Sequence, residues 1–243
     1  ILIYKTINTM QQLEASYKMA NGMINHNMGT EVFKSYGFKF EYPFTQPTFP
    51  VMAVLFYAFT VFYFSPDDTD TENNKSKNKT RSKSTGLTPL KLFVVTHNFI
   101  LCLFSWIVFI NVFPEVYGAI FNGSEDWYSN YNKFACDAMS KNELYWSYLF
   151  YLSKIWEFID TWIILYKGRK PSTLQTYHHM GAVFACWLQV IVGGKTFWIF
   201  VCWNSFIHTI MYAYYCCTTL GYRFRFKFII TLMQLTQFIV GQG

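Results

Sequence analysis

Six long apolar runs decide what this chain can become. They cover roughly residues 49–65, 90–113, 144–166, 175–192, 197–217 and 228–243. A helix needs about 20 mostly apolar residues to cross the hydrocarbon of a bilayer. Only structures that satisfy their backbone polar groups internally survive there. The sequence therefore predicts an all-α protein, a multi-pass bundle of transmembrane helices. Composition agrees. Of 243 residues, 14% are charged and 52% hydrophobic, where a soluble domain carries about 25% charged residues. That leaves too little charge to cover a surface facing water. Pro47 and Pro50 suit the start of the first helix.

The net charge of +6 would suggest nucleic acid on a soluble protein. Here the basic residues fall in alternate connections, which is a topological signal. Lys75, Lys77, Lys79, Arg81 and Lys83 follow the first run, Lys167, Arg169 and Lys170 the third, and Arg223, Arg225 and Lys227 the fifth. The intervening connections carry Lys133, Lys141 and Lys195 beside Glu115, Glu125, Asp126 and Asp137. Loops 67–89, 167–174 and 218–227 are thus predicted cytosolic, and the N-terminus lumenal. Two parts follow: an N-terminal lumenal tail over 1–46 and a membrane domain over 47–243. Residues 67–86 interrupt that domain with a charged, low-complexity stretch, expected as a disordered cytosolic loop. Asn122-Gly123-Ser124 is a glycosylation sequon on the predicted lumenal side. None of the six Cys forms a CxxC pair, so neither a zinc site nor a disulfide framework follows. The chain begins at Ile1 and stops at Gly243 inside an apolar run, so further membrane structure is expected beyond it.

Ionisable side chains inside a bilayer cost roughly 2.5–3.5 kcal/mol each at a helix centre, and they persist where they face a bundle interior or water. The third run carries Lys154, Glu157 and Asp160 at three-residue spacing, hence on one helical face. The fourth opens with Gln175 and the adjacent pair His178-His179. The fifth carries Asn204, His208 and Tyr212 at four-residue spacing, one stripe. Thr231, Gln234 and Gln237 share a face of the sixth, and His97-Asn98 sits near the start of the second. Taken singly, each has a plain explanation, such as an internal salt bridge or a satisfied core histidine. Most of them nevertheless fall at one depth, in the cytosolic half, with Lys154 and His208 nearer the middle. That alignment predicts one shared cavity open to the cytosol, with an aromatic-lined apolar region behind it. The shape suits an amphiphile with a charged head and an acyl tail.

These motifs resemble the ELO family of very-long-chain fatty-acid elongases. The resemblance rests on Lys154-x-x-Glu157-x-x-Asp160-Thr161, on Gln175-x-x-His178-His179, on Asn204-x-x-x-His208-x-x-Met211-Tyr212, and on Thr231-x-x-Gln234-x-x-Gln237, with His97-Asn98 upstream. In the family the box usually reads His-x-x-His-His, and Gln175 replaces its first His. The resemblance implies an endoplasmic-reticulum enzyme of seven transmembrane helices around an acyl-chain tunnel, six of them visible here. It also implies condensation of an acyl-CoA with malonyl-CoA, with loss of carbon dioxide and CoA, to a 3-oxoacyl-CoA.

On that reading His178, His179, His208, Asn204, Lys154, Glu157 and Asp160 are the candidate catalytic residues. Gln175, Tyr212, Gln234, Gln237, His97, Asn98 and Arg223 are the candidate substrate-binding residues. No metal or bound cofactor is expected, and acyl-CoA and malonyl-CoA enter as substrates. Membrane lipids, the reductases and dehydratase of the elongation cycle, and a second copy of the chain are the expected partners, with no nucleic acid. Two alternatives stay open on the residues alone. A di-iron membrane desaturase or hydroxylase uses His-box segments, but commonly eight or more His, and this chain has five. A polar-cored transporter predicts flux without turnover.

Overall fold

The structure is a computed structural model, and it describes residues 42–66, 88–122, 126–222 and 227–240. The N-terminal tail up to residue 41, the charged stretch 67–86, and Arg223 and Arg225 lie outside the described residues.

Helix α1 (Thr48–Phe64) follows Pro47, and its buried residues Pro50, Val54, Tyr57 and Thr60 form one stripe. The opposite faces carry Phe56, Phe59 and Phe62, the last 89% exposed. An aromatic exterior of this kind is stable against lipid and not against water. Helix α2 (Pro89–Phe121) has its first turn capped by Thr88, whose side chain accepts from the Lys91 amide, with Pro89 just inside. It buries Val94, His97, Asn98, Leu101, Ser105, Val108, Val112 and Val116, a stripe at intervals of mostly three and four. The short helix α3 (Trp127–Cys136) is capped by Asp126. Helix α4 (Lys141–Trp156) starts in a capping box of Ser140 and Glu143.

The third apolar run is not one uninterrupted helix. It breaks at Glu157, where the chain tightens into a turn (φ −63°, ψ −14°) before α5 (Phe158–Tyr166) resumes. Helix α6 (Thr173–Val192) is capped by Ser172 and ends at Gly193, whose φ of +68° favours glycine. A 3-10 turn (Lys195–Phe197) leads into α7 (Trp198–Leu220), which also ends on a left-handed glycine, Gly221. Helix α8 (Lys227–Val240) follows.

The protein is all-helical, and no β-strand is present among the described residues. Only an isolated bridge, Ala138 to Gly194, joins two connections. It is reinforced by Met139 N–H to Gly193 O at 2.8 Å and by Lys195 Nζ to Glu143 Oε1 at 3.1 Å. The α3–α4 and α6–α7 connections therefore share one end of the bundle. Helix α7 packs most extensively on α2, α4 on α6, and α1 on α6 and α5. The main core, from Val54 and Tyr57 through Tyr151, Phe158, Trp187 and Trp198, fills the space between them.

Among the described residues one helix, Pro89–Phe121, is long and apolar enough to cross a membrane by length and composition. Thr48–Phe64 and Phe228–Gln237 are apolar but shorter. The other expected spans fall short for physical reasons. The break at Glu157 divides the third, and buried polar residues lower the hydropathy of α6 and α7.

Gln189 is among the buried side chains with no visible compensation. Gln189 of α6 is buried, and neither its Oε1 nor its Nε2 has a hydrogen-bond partner. A buried unsatisfied amide costs about 1–3 kcal/mol. Gln189→Leu is therefore expected to raise the thermal midpoint of the purified protein by several degrees. A fall in the midpoint would mean that the amide has a partner after all.

Candidate active site

Glu157 sits at the break between α4 and α5, and the turn points its carboxylate into the protein. Lys154, one turn earlier, reaches Glu157 Oε1 at 2.7 Å. The same ammonium donates to Asn204 Oδ1 at 2.8 Å across to α7. Both side chains of the ion pair are only 2% exposed. Two histidines face the carboxylate. His208 Nδ1 lies 3.3 Å from Oε1 and His179 Nδ1 4.0 Å from Oε2. Both contacts fall short of hydrogen-bond geometry.

The polarity of this network follows from donor chemistry. An ammonium only donates, so Asn204 turns its carbonyl oxygen to Lys154 and its NH2 group to His208. Asn204 Nδ2 is 3.2 Å from His208 Nε2. Nε2 therefore accepts, and neutral His208 carries its proton on Nδ1, beside Glu157.

Asp160 belongs to a separate cluster. Its Oδ1 is 2.7 Å from His97 Nε2, and its Oδ2 accepts from the Tyr212 hydroxyl at 2.7 Å. Lys154 therefore serves Glu157, and His97 and Tyr212 serve Asp160.

A cavity of about 540 Å³ joins the two clusters. Its wall includes Asn98, Glu157, Asp160, Gln175, His178, His179, His208, Tyr212, Thr231, Gln234 and Gln237. Lys154, Asn204 and His97 stand behind this wall. Gln237 is buried, and its Nε2 has no partner, leaving an amide donor unused. Gln234 Nε2 approaches the Met211 sulfur at 3.0 Å, a weak acceptor. At the α5–α6 connection the wall is Lys167, Arg169 and Ser172. Burial, and then the Arg169 charge, draws the Lys167 ammonium below its ordinary pKa. Arg223 lies outside the described residues. No group of three or more His, Cys, Asp or Glu converges as metal ligands among the described residues.

Gln175 is tied into the scaffold as well as the cavity wall. Its Nε2 donates to Thr161 Oγ1 at 3.2 Å, and the same oxygen is 2.9 Å from the Tyr57 hydroxyl. This network pins α1 to α5 and α6. Losing one such bond costs about 1 kcal/mol. Gln175→Ala is expected to lower turnover by less than about tenfold, against the far larger loss for His178→Ala; an equal loss would place Gln175 in the chemistry.

Two residues of this region escape a reading of the sequence alone. Tyr57 comes from the first apolar run, where nothing distinguishes it from its aromatic neighbours. Trp156 donates from its indole N–H to His97 Nδ1 at 3.2 Å, and its only sequence signal is adjacency to Glu157.

The fold and the site together define an α-helical protein with an apolar exterior and a polar cavity lined by carboxylate, imidazole and amide groups. Residues 42–243 match the pattern of the ELO (GNS1/SUR4) family, and the chain belongs to that membrane-bound family of fatty acid elongation. The match begins well before the motifs and takes in the whole of α1. A putative fatty acid elongase of Dictyostelium discoideum is 34% identical over 157 residues, 62% of this chain and 50% of the relative. Fatty acid elongase sre1 of the same organism is 43% identical over 101 residues, 40% of this chain and 37% of the relative. Very long chain fatty acid elongase 6 of Mus musculus is 32% identical over 151 residues, covering 57% and 55%. The chain thus spans about half or less of the length of these relatives. No solved structure matches it significantly.

Proposed function

We propose that this protein is the condensing enzyme of fatty acid elongation, a very-long-chain 3-oxoacyl-CoA synthase. The observation that carries the reading is the convergence of His178, His179, His208 and Glu157 on one cavity, with Lys154 holding Glu157 and Asn204 holding His208 from behind, in a chain of the ELO family. The family match favours this over the desaturase and transporter readings. The helices of the bundle span the endoplasmic-reticulum membrane around an acyl tunnel, with the basic connections in the cytosol. The 1–46 tail is lumenal and the 67–86 stretch a cytosolic loop.

Malonyl-CoA and acyl-CoA enter at the end lined by Lys167 and Arg169, which meet CoA phosphates. His178 attacks the acyl thioester carbonyl. An N–C bond forms, the C–S bond breaks, and CoA leaves as a thiolate that takes up a proton. Malonyl-CoA then loses carbon dioxide, and the C2 enolate attacks the acyl-imidazole. A C–C bond forms and the N–C bond breaks, the leaving imidazole nitrogen takes up a proton from solvent to restore His178, and 3-oxoacyl-CoA departs. Gln237 and Gln234 offer amide N–H groups to the thioester oxygens, where charge develops. Tyr212 and Asn98 line the same wall. No metal or bound cofactor takes part. Membrane lipids, the reductases and dehydratase of the cycle and a second copy of the chain are the proposed partners.

The test is an assay of the purified full-length protein with malonyl-CoA and a panel of acyl-CoAs, following 3-oxoacyl-CoA by mass spectrometry. Product with at least one chain length is expected. Folded protein that gives none with any chain would overturn the reading.

A further inference from the structure

Trp156 ends α4 next to Glu157 but faces away from it, with the residue 49% exposed on the outside of the bundle. Its indole Nε1 nevertheless lies 3.2 Å from Nδ1 of His97, which is 3% exposed and stacked beneath Phe93. An indole N–H donates and never accepts, so His97 Nδ1 must present a lone pair. Neutral imidazole has one donor and one acceptor nitrogen, and the hydrogen bond at one fixes the state of the other. His97 Nε2 therefore carries the proton and gives it to Asp160 Oδ1 at 2.7 Å. Tyr212 gives its hydroxyl proton to Asp160 Oδ2, also at 2.7 Å. The hydrogen bonds run in one direction, from Trp156 through His97 to Asp160, and meet the one from Tyr212 there.

The direction matters because the opposite tautomer fails twice. Nδ1–H would meet the indole N–H head on, and the bare Nε2 lone pair would face a carboxylate. Lipid around the exposed Trp156 ring offers no water to repair the first contact, so the donor has to come from the protein.

We propose that Trp156 is a positioning residue for the condensation. It fixes His97 as the Nε2–H tautomer, so that Asp160 is a carboxylate with one donor on each oxygen and Tyr212 holds a single orientation at the cavity wall. The proposal rests on the elongase reading for its effect on turnover. The tautomer lock itself is independent of that reading.

The experiment uses full-length protein labelled with 15N-histidine in lipid bilayers. His97 is identified by the signals missing from His97→Gln, and its ring 15N shifts report the tautomer without substrate. Wild type is expected to show Nδ1 bare and Nε2 protonated. Trp156→Phe keeps a ring but removes the donor. It is expected to give mixed tautomers and a turnover lower by roughly tenfold, the scale of a small misplacement, with KM for acyl-CoA unchanged. Trp156→Gln returns an N–H donor and is expected to restore the single tautomer and much of the turnover. An unchanged tautomer in Trp156→Phe would overturn the proposal. So would mixed tautomers with wild-type turnover. Wild-type protein that shows the single tautomer but makes no product would refute the elongase reading and leave the lock standing.

Discussion

Lys154→Ala and Glu157→Ala are each expected to lower the melting temperature by on the order of 10 °C, whereas Lys154→Met with Glu157→Leu recovers most of the loss and stays inactive. The ion pair at 2.7 Å is almost wholly out of solvent. Removing one member of such a pair costs about 3–5 kcal/mol, because the other charge is left buried and alone, while replacing both by apolar side chains is often neutral. For a chain of this size 1 kcal/mol moves the midpoint by about 2–4 °C. The two single losses are not equal. After Lys154→Ala the Glu157 carboxylate still has His208 and His179 nearby to share a proton. After Glu157→Ala the ammonium keeps only the Asn204 oxygen as a polar partner, so this variant is expected to melt lower. Thermal unfolding and elongation measured on the same preparations separate the roles. Stable but inactive double-variant protein means that the charges serve the chemistry. Recovered activity would make the pair structural and remove Glu157 from the mechanism.

The helices were legible because lipid demands apolar runs, and the runs read from sequence end within a few residues of the helices for the most part. The second run was read too short, since α2 continues through Pro114 to Phe121. The third was read as continuous. No Gly or Pro near Glu157 announces a break. Within the site, everything carried by helical spacing was readable: Lys154 with Glu157, and Asn204 with His208. The individual pairings made across the bundle were not. Even spacing put Asp160 in line with Lys154 and Glu157, yet Asp160 pairs with His97, 63 residues earlier in the chain. Gln175, singled out as a departure from the family box, reaches Thr161, a partner that depends on how α5 and α6 cross. Periodicity fixes which residues share a face. It does not choose among the faces opposite.

The two histidines of the mechanism divide their work by position. His208 Nε2 already accepts from Asn204, and its Nδ1 faces Glu157. Its geometry suits holding and moving a proton beside a carboxylate. His178 lines the cavity in the first half of α6, where the proposed mechanism brings the acyl thioester. Incubation with acyl-CoA and no malonyl-CoA, followed by rapid denaturation and peptide mass spectrometry, is therefore expected to place an acyl group on His178. His178→Ala should lose both adduct and product. His208→Ala should keep some adduct but lose product by about 10²–10⁴-fold, the range of general acid–base assistance. An adduct on His208 instead would mean that the Asn204 contact opens when substrate binds, and the roles would exchange. Full elongation with no adduct on either residue would leave the histidines as hydrogen-bond donors to the thioester and enolate oxygens, with acyl-CoA attacked directly by the malonyl carbanion.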